Sequence, residues 1–130
     1  MGSTENEARI RNGYAAFNSG DVPALIALFA EDIVWRFPGT SKLAGEHVGR
    51  DAALQMLGAY GAAFEGTLQA ELHDVMANED HVAGWATDRA AVGGRTLAVS
   101  AVVIFSMRDG KVVDAAHHFD DQAAVDAFLT

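Results

Sequence analysis

Hydrophobic residues recur at helical spacing through the first half of the chain. Ile10, Tyr14 and Phe17 predict an amphipathic helix over residues 5–18, which Gly20 ends. Asp21 is a good helix N-cap and Pro23 suits a first turn, so a short second helix should follow. Its predicted buried face comprises Leu25, Ile26, Leu28 and Phe29. A third helix is predicted over residues 50–64 from the spacing of Ala53, Leu54, Leu57, Tyr60 and Phe64.

Strand-like runs separated by turn residues make up most of the rest. A first strand is predicted over residues 33–37, closed by Pro38 and Gly39, and a loop over residues 39–49. Four more strands are predicted over residues 67–76, 81–92, 95–107 and 111–119, with turns at 78–80, 93–94 and 109–110. Asp120 or Asp121 should cap a final helix over residues 122–129.

This order of elements predicts one α+β domain over residues 1–130. Three successive hairpins form a meander, so the sheet is mostly antiparallel. We expect a curved sheet wrapped around three N-terminal helices, with a short C-terminal helix and a cavity inside.

Composition and charge exclude several classes of function. Eighteen acidic residues against nine basic ones give a net charge of −9. Nucleic acid is therefore not an expected partner, because phosphate binding requires concentrated positive charge. Neither a membrane-spanning run nor a signal-like segment is visible, which favours a cytoplasmic location without membrane association. The chain has no cysteine, so a thiolate nucleophile and a cysteine-ligated zinc site are excluded.

Several short motifs are similar to those of one known superfamily. They are Tyr14–Asp21, Leu28–Asp32, Pro38–Gly39, Gly45, Gly49 and Gly110–Val113. Together they resemble the SnoaL-like polyketide cyclases and the ketosteroid-isomerase-like proteins of the nuclear transport factor 2-like superfamily. The resemblance covers nearly the whole chain and implies the cone fold, which hosts isomerases, cyclases, dehydratases, epoxide hydrolases and binding proteins.

The catalytic groups of ketosteroid isomerase carry over only in part. Tyr14 matches the tyrosine that donates a hydrogen bond to the substrate oxyanion. Phe37 occupies the position of the general-base aspartate, and Val103 that of the second oxyanion acid. Steroid isomerisation by that mechanism is therefore not expected. The arginines Arg36 and Arg89 are expected to point outward, which also argues against the Asp-Arg-Asp arrangement of limonene-type epoxide hydrolases.

The resemblance at Phe37 and Val103 sets which strand residues face the cavity, because strand side chains alternate between the two faces. His117 and Asp88 then point inward among apolar neighbours. The predicted substrate-binding residues are Trp35, Phe37, Val103, Phe105, Phe119 and Leu57.

These polar groups suggest acid–base chemistry on a hydrophobic carbonyl or polyketide-like substrate. His117 would move the proton, Asp88 would orient it and raise its pKa, and Tyr14 would donate a hydrogen bond to the substrate oxygen. The alternative is a non-catalytic module of the same fold that binds a small hydrophobic ligand. No cofactor is expected. No metal is expected either, since neighbouring strand residues such as His117 and His118 point apart.

The outer face of the sheet carries a second pattern. Ala98, Ser100, Val102 and Ile104 have the parity opposite to the cavity, and Trp85 joins them from the neighbouring strand. An antiparallel sheet with one solvated face should alternate more cleanly. We therefore expect a homodimer formed through this convex face. The three histidines His47, His73 and His81 are predicted to be solvated.

Overall fold

The computed structural model describes residues 2–130 and contains four helices and one six-stranded sheet. The helices are α1 (Ser3–Ser19), α2 (Val22–Leu28), α3 (Arg50–Ala62) and α4 (Gln122–Leu129). The strands are β1 (Phe29–Phe37), β2 (Gly45–Val48), β3 (Gln69–Ala77), β4 (His81–Val92), β5 (Arg95–Arg108) and β6 (Lys111–Phe119).

The sheet is mixed, with strand order β2-β1-β6-β5-β4-β3. β1 and β6 are parallel, and the other four neighbouring pairs are antiparallel. Three successive hairpins join β3 to β6, as the turn residues predicted. The α+β fold with a curved, mostly antiparallel sheet is therefore confirmed.

Local sequence signals account for the helix ends. Gly20 adopts a left-handed conformation with φ 74°, and its N–H bonds the carbonyl oxygens of Ala16 and Phe17 at the end of α1. The Asp21 side chain accepts a hydrogen bond from the Ala24 N–H and caps α2. Asp121 caps α4 in the same way, so it is Asp121 that takes the predicted cap position.

Two predictions near the first strand were wrong. β1 begins at Phe29 rather than at residue 33, and its register against β6 shifts between Phe29 and Val34. That irregularity lets Glu31 and Asp32 both face solvent, which breaks the alternation and hides the start of the strand. Phe29 is thus a buried strand residue, and Ile26, placed on the buried face of α2, is 41% exposed.

The segment predicted as a loop over residues 39–49 contains β2. β2 pairs with β1 in antiparallel register, with His47 opposite Trp35. None of its four residues is fully buried, so it carries no hydrophobic alternation to reveal it. His47 is half-buried and its Nε2 lies 2.7 Å from the Leu43 carbonyl oxygen, so its predicted solvation was wrong in part. His73 and His81 are exposed, as predicted.

The concave face of the sheet packs against the helices and forms the core. Along β5 the side chains alternate, with Val99, Ala101, Val103 and Phe105 buried. α1 is fixed across this face by Asn18, whose amide both donates to and accepts from the backbone of Ala70. These two hydrogen bonds hold α1 in place and thereby position Tyr14, which lies one turn earlier on the helix.

Surface charges lie on the opposite face, as the parity predicted. Arg36 forms ion pairs with Glu46 and Asp114, and Arg89 bonds Glu71. The remaining convex surface exposes Trp85 by 43% and Ile104 by 38%. None of the helices within residues 2–130 combines the length and the apolar character needed to span a membrane.

Candidate functional site

A cavity of about 60 Å³ lies between the concave face of the sheet and helices α1, α2 and α3. Most of its wall is apolar, including Leu57, Ala86, Val103 and Phe105. Within residues 2–130, five residues with polar side-chain atoms line it: Tyr14, Trp35, Tyr60, Asp88 and His117. The lining is thus hydrophobic with few polar atoms, as in pockets for small organic ligands.

Asp88 on β4 is 4% exposed. The Tyr60 hydroxyl on α3 donates a hydrogen bond of 2.8 Å to Asp88 Oδ2. Burial raises the pKa of the Asp88 carboxyl to about 6, although the Tyr60 hydrogen bond acts in the opposite direction. A carboxyl group with such a pKa exchanges protons readily near neutral pH, which suits a general acid or base.

His117 on β6 lies 7% exposed in an aromatic surround. Its ring stacks on Phe119 with a centroid distance of 5.3 Å and contacts the rings of Trp35 and Phe37. Trp35 Nε1 donates a hydrogen bond of 2.9 Å to His117 Nδ1. Because Nδ1 accepts, the neutral ring carries its proton on Nε2; this tautomer is assigned from the hydrogen bond.

The protonation of His117 is set by the same surroundings. Burial lowers the pKa of His117 to about 3, and the nearby His118 acts in the same direction. His117 is therefore neutral throughout the physiological range. In this state it is a hydrogen-bond donor through Nε2 rather than a proton carrier.

Tyr14 contributes a buried hydroxyl group to the cavity wall. Its oxygen is buried, and within residues 2–130 it forms no hydrogen bond. Burial raises the pKa of Tyr14, and the charge of Asp88 raises it further, so the phenol stays protonated. The ring packs closely against the backbone at Gly84, where an added Cβ would lie 2.7 Å from Tyr14 Cε2. An unpaired buried donor of this kind is available to a ligand oxygen.

The sequence model of the SnoaL-like domain matches residues 10–115. The chain belongs to the SnoaL-like family. An uncharacterized protein of Mycobacterium tuberculosis is 32% identical over 120 residues, which are 92% of each protein. Bal32a, from a soil-derived mobile gene cassette, has a solved structure with 40% identity and a TM-score of 0.94 over 98% of both chains. A protein of unknown function with a cystatin-like fold from Xanthomonas campestris is 28% identical, with a TM-score of 0.88 over 95% of this chain and 97% of its own.

Membership of the SnoaL-like family confirms the predicted resemblance. Most of the predicted site residues line the cavity. Tyr14, Asp88 and His117 all line the cavity, together with Trp35, Leu57, Val103 and Phe105. Phe37 and Phe119, predicted to bind substrate, lie one layer back and pack against His117 instead. Those two residues support the site without lining it.

The predicted pairing of Asp88 with His117 was wrong. Within residues 2–130 each is hydrogen-bonded to a different aromatic residue, and the pKa of His117 is lowered rather than raised. The register explains this, because Asp88 lies opposite Val99 on β5 and His117 lies opposite Val103. Those β5 positions are four residues apart, or about 13 Å along a strand. A shared face therefore does not bring the two side chains into contact.

Tyr60 is the site residue that sequence analysis missed. It appeared as one apolar contact in the stripe of α3, and it is indeed buried at 1% exposure. The available signal was chemical, since a buried tyrosine hydroxyl normally finds a hydrogen-bond partner. Asp88 was the inward carboxylate that could supply one. Within residues 2–130 no cluster of three histidine, aspartate or glutamate side chains is arranged as metal ligands.

Proposed function

We propose that this protein catalyses proton transfer on a small hydrophobic carbonyl compound bound in the cavity. Asp88 serves as the general base, and Tyr14 and His117 donate hydrogen bonds to the substrate oxygen. The observation that carries the proposal is a buried carboxylate whose pKa lies near 6 in the same apolar enclosure as the neutral His117 ring and the Tyr14 hydroxyl, which has no hydrogen-bond partner within residues 2–130.

The proposed step balances without a cofactor. Asp88 takes a proton from the carbon next to the carbonyl group, and the C–H bonding electrons become the enolate. Negative charge develops on the oxygen, where the Tyr14 hydroxyl and the His117 Nε2–H donate hydrogen bonds. Where the enolate is conjugated with a C=C bond, it recovers the proton from Asp88 at the γ carbon, an isomerisation. Alternatively it attacks a second carbonyl carbon to form a C–C bond, and the alkoxide that results takes the proton from Asp88, a cyclisation.

Tyr60 is a positioning residue in this proposal. Its hydrogen bond fixes the Asp88 carboxylate against α3 and keeps the pKa of Asp88 lower than burial alone would set it. Trp35 has the equivalent part for His117, since its indole N–H selects the tautomer that presents Nε2–H.

The test is proton exchange in heavy water. Wild-type protein and the Asp88→Asn variant are each incubated with a series of small hydrophobic ketones, and deuterium uptake next to the carbonyl is followed by mass spectrometry. Loss of a general base should slow exchange by about 100-fold or more. The control is Asp74→Asn, which removes a carboxylate with 55% exposure on β3 and should leave exchange unchanged.

The rate should also rise with pH through about 6, following ionisation of Asp88. Equal exchange in wild type and Asp88→Asn would reject Asp88 as the base. A ketone that shifts the NMR signals of cavity residues but undergoes no exchange would reject catalysis and favour the ligand-binding alternative.

We also propose that two copies associate through the convex face of the sheet. Support comes from the exposed side chains of Trp85 and Ile104, with the uncharged residues Ala98, Ser100 and Val102 around them. The patch has few charges, with Arg89 opposite Ala98 at its edge. On a protein of net charge −9, such a surface is where two identical acidic molecules repel each other least.

A further inference from the structure

A second groove lies outside the cavity, between α1, α2 and the turn that joins β5 to β6. It has a volume of about 210 Å³ and is lined by Arg9, Asn12, Gly13, Ala24, Ala27, Leu28 and Gly110. One wall is therefore formed by small or apolar residues and the other by a guanidinium group and an amide. Such a groove is amphipathic, and it differs in character from the almost entirely apolar cavity.

Arg9 is the unusual member of this groove. Five other arginines form ion pairs with carboxylates: Arg11, Arg36, Arg50, Arg89 and Arg108. Within residues 2–130 Arg9 has no carboxylate within 4.0 Å, and its buried Nη1 has no hydrogen-bond partner. A buried cationic donor without an acceptor is unfavourable, so a ligand that supplies an acceptor to the Arg9 guanidinium would be favoured.

The orientation of the Arg9 guanidinium is fixed by the turn below it. Gly110 has φ 78°, and a Cβ there would lie 3.0 to 3.2 Å from the Nε, Cζ and Nη2 atoms of Arg9. The guanidinium therefore packs against the bare backbone of Gly110, while the residue as a whole is only half-buried. Arg9 lines the groove, and Asn12 is exposed beside it.

A second cation lies near the groove, although the carboxylate of Asp109 precedes Gly110 in the same turn. Lys111 directs its Nζ to the Ala27 carbonyl oxygen at 2.7 Å, which places a second cation next to the groove. In a chain of net charge −9, two cations at one groove create a local preference for anions. Ala24, Ala27 and Leu28 supply the surface for an apolar chain attached to such an anion.

We propose that this groove binds the carboxylate of a small monocarboxylic acid with a short apolar chain. The carboxylate accepts hydrogen bonds from the Arg9 guanidinium and the Asn12 amide, and the chain lies against Ala24, Ala27 and Leu28. The proposal is independent of the chemistry assigned to the cavity.

The experiment is an NMR titration of the full chain labelled with nitrogen-15. Sodium hexanoate is added at constant ionic strength, and hexan-1-ol serves as the uncharged probe of the same length. We expect saturable shifts of the Asn12 and Gly110 signals with hexanoate and none with hexan-1-ol. Arg9→Met should weaken hexanoate binding by about tenfold or more, since it removes a charge-assisted hydrogen bond. Arg9→Lys keeps the positive charge but loses the planar set of N–H donors, so its affinity for hexanoate should lie between those of wild type and Arg9→Met.

The matched control is Arg11→Met, which removes an exposed, ion-paired arginine from the same helix. It should bind hexanoate as wild type does. Thermal unfolding of each variant shows whether it is folded. Four results would overturn the proposal: no saturable shift, equal shifts with hexan-1-ol, undiminished binding by folded Arg9→Met, or shifts confined to cavity residues such as Ala101.

Discussion

Replacement of Asp88 by asparagine should change how the stability of the protein depends on pH. Asparagine keeps the size of the side chain and an oxygen that accepts the Tyr60 hydrogen bond, but it removes the ionisation. Burial raises the pKa of Asp88 from its ordinary value of 3.8 to about 6. At about 1.4 kcal/mol per pKa unit, this difference corresponds to about 3 kcal/mol.

The sign follows from proton linkage. Folded protein holds the Asp88 proton more tightly than unfolded protein does, so this group favours folding at low pH. Its contribution is fully present below about pH 4 and is lost as the pH rises through about 6. Asp88→Asn should therefore gain about 3 kcal/mol in free energy of unfolding relative to wild type between pH 3.5 and pH 7.

His117 makes a double comparison necessary. Burial lowers the pKa of His117 from 6.5 to about 3, so its contribution to stability is present above pH 6.5 and lost as the pH falls through about 3. This term is about 5 kcal/mol and opposes that of Asp88 in the same pH window. In the wild-type protein alone, the measured pH dependence of the free energy of unfolding is the sum of the Asp88 and His117 contributions. The difference between wild type and Asp88→Asn contains only the Asp88 contribution.

Urea unfolding followed by tryptophan fluorescence at several pH values from 3.5 to 8 measures the effect. Asp74→Asn reports what removal of one surface carboxylate does under the same conditions. A difference between Asp88→Asn and wild type that stays constant over this range would refute the reasoning, because it would mean that Asp88 has an ordinary pKa in the folded protein.

Three further predictions concern other contacts. Tyr60→Phe should move the pKa of the buried carboxyl above 6, because the hydroxyl hydrogen bond holds it down; carbon-13 NMR titration measures this, and an unchanged or lower pKa would contradict it. Gly84→Ala should displace Tyr14, slow deuterium exchange of the ketone and lower the free energy of unfolding by about 1–3 kcal/mol. Its control is Gly58→Ala, whose added methyl group meets no atom of residues 2–130 within 4 Å. That variant should raise the free energy of unfolding by about 1 kcal/mol in the same assay. Ile104→Glu should convert the proposed dimer to a monomer in light scattering, and a wild type that is already monomeric would end that proposal.

Much of the fold could be predicted because turn chemistry and strand alternation agree. The bounds of β4, β6 and α4 are those that the sequence predicted. Each is closed by a strong local signal, such as Gly93 and Gly94 after β4 or Asp121 before α4. β2 could not be found in this way, because main-chain pairing with β1 holds it in place and none of its side chains is fully buried.

The sequence predicted which face of the sheet carries the site residues, but not how far along their strands these residues lie. Strand parity correctly turned Asp88 and His117 into the cavity. Parity says nothing about where along the strand each residue sits, and the register separates these two by four positions of β5. The partners they do have, Tyr60 and Trp35, come from α3 and β1. Contacts between layers depend on how a helix lies on a sheet, which neither periodicity nor alternation determines.

The assignment of the base to Asp88 rests on elimination among the polar groups of the cavity. Burial raises the pKa of Tyr14, so its hydroxyl keeps its proton and can only donate to a bound oxygen. Burial lowers the pKa of His117, and its unprotonated Nδ1 is already occupied by the Trp35 indole. The same desolvation raises the pKa of Asp88 to about 6, which still leaves it ionised at neutral pH. Tyr60 also keeps its proton, because burial raises its pKa, and its hydroxyl already donates to Asp88. Exclusion of water therefore keeps Tyr14, Tyr60 and His117 neutral and leaves Asp88 as the proposed acceptor of a proton.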